Sequence, residues 1–331
     1  MFYLTSFTST SCLVVLARTT ENRFMASTLT LVSRPALPRD RFDELLAQLV
    51  NRLPAAAEAI FSVHESATRW VAKTRIENID ALDLRTEALA SFDTLVDSGF
   101  FSADEACVTV LDSALTDAKR ILLLMDVDST LIKQEVIELL AAHAGREQEV
   151  AAVTEAAMRG ELDFAQSLIQ RVATLKGLPE SVLPEVISRV IYSDGARELV
   201  QRMHAAGHIV GVVSGGFQQI LDPLAQELKL DHALANTLGI TDGLLDGTVH
   251  GQIVDRAMKE KMLRAWAAEH GISMSATIAA GDGANDLDMV TAAGLGVAFN
   301  AKPALREQAG ARIDFSRLDV IADLVLDDFD A

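Results

Sequence analysis

The stretch Ile121-Leu-Leu-Leu-Met-Asp126-Val-Asp128-Ser-Thr130 sets five apolar side chains in a row and ends on two carboxylates one residue apart. An unbroken run of this kind fits a strand buried on both faces of a parallel sheet. Similar runs recur at 208–214, 277–282 and 294–299. Between the first and second lies a mostly helical stretch, 133–189, and a more β-like segment, 233–254, leads to the third. Strands followed by helices predict an α/β, doubly wound (Rossmann-like) core with a helical cap inserted after its first strand.

Upstream the rhythm differs. Of the 19 glycines only Gly99 lies in residues 1–120, which marks a boundary near 115–120. Before it the patterning gives strand 28–33, helix 39–52, strands 59–64 and 68–76, helix 80–97 and strand 106–112. That βαββαβ order predicts an N-terminal α+β, ferredoxin-like unit. The expected organisation is therefore a tail at 1–25, an α+β domain at 26–115 and an α/β domain at 116–331, its cap at about 133–190. Better patterning begins at Met25, so the tail reads as a mis-called start or a loose extension. Its apolar run, 12–17, has no basic residue before it and makes a poor signal peptide.

Composition narrows the class. With 331 residues, 50% apolar and 23% charged, the chain is neither disordered, collagenous nor a small disulfide scaffold. Its formal charge is 29 minus 47, or -18, with no block of Lys or Arg. Such a field repels polyanions, so nucleic acid is not an expected partner and any phosphate must be held locally. No stretch approaches the roughly 18 uninterrupted apolar residues of a membrane span. Cys12 and Cys107 stand 95 residues apart and form no C-x-x-C pair, which points to a reducing cytoplasm rather than to disulfides or zinc.

In doubly wound sheets ligands bind beyond the carboxyl ends of the strands. Here the runs end in D-V-D-S-T (126–130), S-G-G-F (214–217) and G-D-G-A-N-D (281–286). Asp126, Asp128, Asp282 and Asp286 thus meet at one edge, and each pair about 4 Å apart would repel by roughly 4 kcal/mol at an effective dielectric of 20. A cation has to compensate them, and oxygen donors without nearby His or Cys select Mg²⁺. Four carboxylates, one such ion and one lysine still leave a charge of -1, so a carboxyl must be protonated when a phosphate ester arrives. That supplies a general acid beside a carboxylate nucleophile. Alternation in D-V-D points both Asp side chains the same way. Ser214 and the N–H groups of Gly215 and Gly216 suit a phosphate cradle, and Lys259 or Lys261 could supply the stabilising cation. His204 and His208 read as surface residues, and the methionines as core filler.

These three segments, with a lysine between the second and third, resemble the motif set of the haloacid dehalogenase superfamily of phosphotransferases. Glu135, nine residues beyond Asp126, and the stretch TEAAMRGELDFAQSLIQRVATLKGLP at 154–179 are similar to the helical cap of its phosphoserine phosphatase branch. The resemblance spans about 122–306. It implies Asp126 as the nucleophile that becomes an aspartyl phosphate, and Asp128 as the acid that protonates the leaving oxygen and then activates water. It implies Mg²⁺ held by Asp126, the backbone carbonyl of Asp128 and Asp282, with Asp286 supporting through water or lysine. Ser214, Gly215 and Lys259 would bind the phosphoryl group and Asn285 would lie close by. Lys259, 23 residues before Asp282, is the lysine at the family's spacing. In the cap the resemblance assigns Glu135 to the substrate ammonium, Arg171 to its carboxylate, and Met158 and Phe164 to shielding. Val127 replaces the Phe or Met of many relatives at a position expected to face the core.

The implied activity is Mg²⁺-dependent hydrolysis of O-phospho-L-serine in serine biosynthesis. One alternative is transfer of the phosphoryl group to homoserine; another is a regulatory amino-acid-binding protein with a vestigial phosphatase core. The N-terminal unit resembles the amino-acid-sensing ACT domains of some bacterial relatives. Its first strand-to-helix turn, 33–40, lacks the glycine of such ligand sites, so packing or homodimerisation is its expected role.

Overall fold

The computed structural model describes residues 26–66, 68–158 and 163–326, apart from the side chains of 155–158. The tail at 1–25, with its start-site reading, signal-peptide reading and Cys12, lies outside the described residues.

The first part of the chain runs β1 (Ala26–Ser33), α1 (Arg39–Val50), β2 (Ser62–Ser66), β3 (Arg69–Glu77), α2 (Ala81–Asp97) and β4 (Ala106–Asp112). Its strands form an antiparallel sheet in the order β2-β3-β1-β4, the split arrangement that the βαββαβ order predicts. The second strand lies a few residues later than expected, because Pro54–Ala56 form a short helical turn. Period-2 alternation divides the sheet between two partners. Leu29, Leu31, Ala72, Val108 and Val110 pack with Phe42, Leu84 and Phe92 of α1 and α2. Val32, Val71, Cys107 and Leu111 instead join the large core of the rest of the chain. Both faces are covered, which is why β1 and β4 are buried almost throughout.

A short helix, α3 (Ser113–Thr116), leads to β5 (Leu122–Met125). The cap helices follow: α4 (Val136–Ala144), α5 (Glu147–Met158), α6 (Phe164–Ala173) and α7 (Val182–Ile187). The chain then alternates through α8 (Ala196–Ala205), β6 (Ile209–Phe217) and α9 (Gln218–Leu228) to the hairpin β7 (His232–Thr241) and β8 (Leu244–His250). It continues through α10 (Arg256–Glu269), β9 (Thr277–Gly281), α11 (Leu287–Ala292), β10 (Leu295–Phe299), α12 (Pro303–Arg306), β11 (Ala311–Ile313) and α13 (Val320–Val325).

The seven strands are ordered β11-β10-β9-β5-β6-β7-β8, parallel except for the hairpin partner β8. Strand order reverses at β5, so the crevice at its carboxyl end is the topological switch point. Leu122 and Leu124 face one core cluster and Leu123 and Met125 the other, which accounts for the unbroken apolar run. Val127 is buried in the core as expected. His208 is not a surface residue: it is buried, and its Nδ1 accepts the Ile121 N–H at 3.3 Å. A histidine just before an apolar strand can satisfy a backbone donor that the ladder leaves unpaired. His204 is half-buried and paired with Asp231 at 3.0 Å. Among the described residues no helix is long and apolar enough to cross a membrane.

Candidate active site

Asp126 closes the β5 ladder, donating its N–H to Ala280 at 2.9 Å. Immediately after it the chain turns widely through 127–131, with Ser129 in the left-handed region at φ 56°. This turn brings Asp128 back beside Asp126 and starts α4 over the site. One Asp126 oxygen accepts the Val127 N–H at 2.7 Å; the other lies 2.8 Å from Lys259 Nζ and 3.3 Å from Asn285 Nδ2. The Asp128 carboxylate accepts the Val136 N–H at 2.8 Å and the Ser214 hydroxyl at 3.1 Å. Burial, reinforced by Glu135, pushes Asp128 up to about 6. Burial and the neighbouring Asp286 also hold Asp126 well above the usual carboxylate range.

Lys259, one turn into α10, is fully buried between Asp126 and Asp286, the latter at 2.7 Å. Burial opposes its charge, yet these two carboxylates raise it overall. Lys261 is exposed, so the geometry separates two lysines that the residue pattern left as alternatives. Asp286 also accepts the N–H groups of Asp282 and Gly283 at 3.2 Å. It sits so close to β9 that a Cβ on Gly281 would come within 2.3 Å of its carboxylate. Asp282 is raised to about 6, by burial first and then by Asp286.

Carboxylate oxygens of Asp126, Asp282 and Asp286 all lie within 4.8 Å of one another. This donor set, all oxygen, fits a hard divalent cation. The Asp128 carboxylate is not in the group, being committed to Ser214 and α4.

Gly215, Gly216 and Phe217 continue β6, so the S-G-G segment is a strand end leading directly into α9. The Gly216 N–H is engaged by Ser214 Oγ at 2.8 Å. A side chain at Gly215 would meet Phe164 at 2.9 Å, and one at Gly216 would meet Asp128 at 2.7 Å. Over these glycines lies α6, started by Asp163 through a capping box. Phe164, Leu168 and Arg171, spaced i, i+4 and i+7, turn one helix face into the cavity. Arg171 shares that cavity with Glu135, Asp128 and Asp282; burial lowers it, partly offset by Glu135. Glu135 precedes α4 without capping it and accepts the Ser129 hydroxyl at 2.8 Å. The Met158 side chain lies outside the described residues.

The cavity measures about 210 Å³. That is below the roughly 300–1,000 Å³ of drug-sized sites and suits a small polar molecule. Sequence reasoning passed over two residues here, one in the cavity wall and one that holds the glycine strand end behind it. Lys302 lines the wall and eases the charge on Asp282; it stands three residues past the fourth apolar run, whose end was the available signal. Asn236, buried in β7, donates to the Gly215 carbonyl at 2.9 Å and accepts the Val254 N–H at 2.8 Å. A polar residue inside a strand was its only mark.

Known proteins are similar to this chain in sequence and in fold. Phosphoserine phosphatase of Streptomyces coelicolor is 56% identical over 214 residues, which make up 65% of this chain and 52% of that one. Phosphoserine phosphatase of Streptococcus thermophilus is 54% identical over 192 residues, 58% of this chain and 89% of that one. The chain thus spans about half the length of the first relative and most of the second. A solved phosphoserine phosphatase carrying an analogue of its phospho-aspartyl intermediate superposes with a TM-score of 0.60 at 41% identity, covering 63% of this chain and 100% of that one. The sequence model of the haloacid dehalogenase-like hydrolases matches residues 123–291, just over half of the chain, and the chain belongs to that family.

Proposed function

We propose that this chain is a Mg²⁺-dependent phosphoserine phosphatase, hydrolysing O-phospho-L-serine to L-serine and phosphate through an aspartyl phosphate on Asp126. The observation that carries this reading is that one small cavity holds both a reacting set, Asp126 with Asp128, and a zwitterion-reading pair, Glu135 with Arg171. A substrate ammonium pairs with Glu135, and its carboxylate takes the fork of Arg171, which suits a planar anion better than lysine does. The phosphoryl group then lies among Ser214, Gly215 and Lys259, with Asn285 beside it. Asp126 attacks phosphorus, the bond to the serine oxygen breaks, and Asp128 gives its proton to that oxygen. Asp128 next takes a proton from the water that attacks the aspartyl phosphate, releasing phosphate and restoring both groups. A value near 6 suits a group that must first give and then take a proton. Asp126, Asp282 and the Asp128 carbonyl would hold Mg²⁺, which would supply positive charge to offset the negative charge of the phosphoryl group. Asp286 supports this arrangement by holding Lys259.

In this reading residues 116–331 are the phosphatase unit, with the cap at about 133–190, where Phe164 excludes water. Residues 26–115 are the ACT-like unit, serving packing or homodimerisation. Serine biosynthesis places the chain in the cytoplasm. The test is phosphate release from a panel of phosphorylated amino acids and sugars, with and without chelator. Arg171→Ala should lower phosphoserine turnover by roughly 30–200-fold, the 2–3 kcal/mol of a charged hydrogen-bonded pair. Hydrolysis of an aryl phosphate lacking a carboxylate should barely change. A flat panel, or equal losses on both substrates, overturns the assignment.

A further inference from the structure

Helix α10 begins at the cavity, where it supplies Lys259, and ends roughly 16 Å away at about 1.5 Å per residue. At that far end stands a second group of ligating side chains. His270 caps the helix, and its Nε2 lies 2.7 Å from Nε2 of His232, the first residue of β7. Ligand-capable atoms of His232, Glu269 and His270 all fall within 4.8 Å of one another. The His232 ring is held in place: it stacks on Trp266 with centroids 4.6 Å apart and planes 13° from parallel. Gly211, its partner across the β6–β7 ladder, leaves space for that stack. A Cβ at Gly211 would press on His232 at 3.2 Å and on Trp266 at 3.4 Å.

Two imidazole nitrogens at this distance share one proton, one ring donating and the other accepting. Burial holds His232 toward its neutral form, which keeps a lone pair available. A helix C-terminus and a chain of net charge -18 both favour a cation here.

We infer that His232, Glu269 and His270 form a second cation site, selective for a borderline transition ion such as Zn²⁺, held by two imidazole nitrogens and one carboxylate oxygen. Tetrahedral Zn²⁺ with bonds of about 2.0–2.1 Å sets its two nitrogens about 3.3 Å apart. The rings therefore part by roughly 0.6 Å from their present contact, a rotation open to His270 at a helix end, and water completes the shell. Imidazole donors disfavour Mg²⁺, so the two ends of α10 sort ions by donor chemistry. An ion replacing the shared proton ties the end of α10 to the start of β7 and stabilises the fold without entering the reaction.

The experiment uses the full chain, stripped with chelator and then kept in excess Mg²⁺. Co²⁺ serves as the spectroscopic probe, titrated by calorimetry and visible absorption, and Zn²⁺ is added in parallel thermal unfolding. One equivalent of Co²⁺ should bind with a visible band, and Zn²⁺ should raise the unfolding temperature. His270→Ala should weaken Co²⁺ uptake at least about tenfold and abolish the thermal shift, with Mg²⁺-supported phosphate release unchanged. Glu269→Gln, at an exposed position, should weaken uptake without altering the fold. Identical titrations in wild type and His270→Ala, or no uptake at about 1 mM, overturn the proposal.

Discussion

Two buried charge clusters are made of similar residues and reach opposite states. Between the N-terminal sheet and α13, Asp319 and Asp323 meet three guanidinium groups. Arg69 bridges both carboxylates, reaching Asp319 at 2.7 Å; Arg202 pairs with Asp323 at 2.7 Å and Arg317 with Asp319 at 2.8 Å. Burial works against the Asp319 charge, yet Arg317 and Arg69 hold it below its usual value. At the sheet edge, Asp126, Asp128, Asp282 and Asp286 surround one buried lysine, and Asp128 and Asp282 rise to about 6. The first cluster meets each buried carboxylate with two arginines and is structural. The second leaves negative charge uncompensated, which is what a site awaiting a cation and a proton looks like.

The sharpest way to separate the two is to remove one charge from each. Asp126→Asn should abolish turnover, by about 10⁴-fold or more, since an amide cannot replace the attacking carboxylate. Its metal-free fold should persist, because a like-charge contact has been relieved; urea unfolding beside the phosphate assay checks both halves. In the structural cluster the sign reverses. Arg69→Met strands two buried carboxylates on the remaining arginines and should cost about 3–5 kcal/mol of stability by urea unfolding. If it costs nothing, the cluster is not the clamp described above.

Titration sharpens the contrast further. Asp128 and Asp282 bind protons more tightly in the fold than in the unfolded chain, moving from 3.8 to about 6. Their burden is absent below pH 4, grows as pH rises from about 4 to 6, and is full above 6. The metal-free fold should therefore lose up to about 3 kcal/mol per group across that window. Added Mg²⁺ should restore stability above pH 6 and do little at pH 4, as denaturant midpoints over the range will reveal. The smallest effect concerns the glycine strand end. Asn236→Ala removes two hydrogen bonds holding Gly215 and Val254, and should cost about 1–3 kcal/mol with a modest rise in KM for phosphoserine.

Much of this was legible along the chain because backbone geometry imposes it locally. Strands covered on both faces read as apolar runs, and in a doubly wound sheet their carboxyl ends are where ligands gather. Asp126, Ser214 and Asp282 could be placed on one edge from that rule, whereas Lys259 and Lys261 stayed open until the family resemblance favoured Lys259; in the fold the first is buried and the second exposed. Other features had no local signal. His208 has the composition of a surface histidine and lies buried against the Ile121 N–H. Lys302 and Asn236 look like ordinary loop and strand residues until the cavity wall and Gly215 are beside them.

What the sequence by itself determined is the order of elements, the edge at which the acidic residues collect, and the cap that follows the first parallel strand. Only the tertiary structure decided which charges are compensated. Arg69 meets Asp319 and Asp323 about 250 residues further on, and His232 meets His270 across a strand and a helix. The physical reason is that periodicity and capping depend on neighbours within a turn or two, whereas the charge state of a buried group depends on whatever the folded chain packs against it.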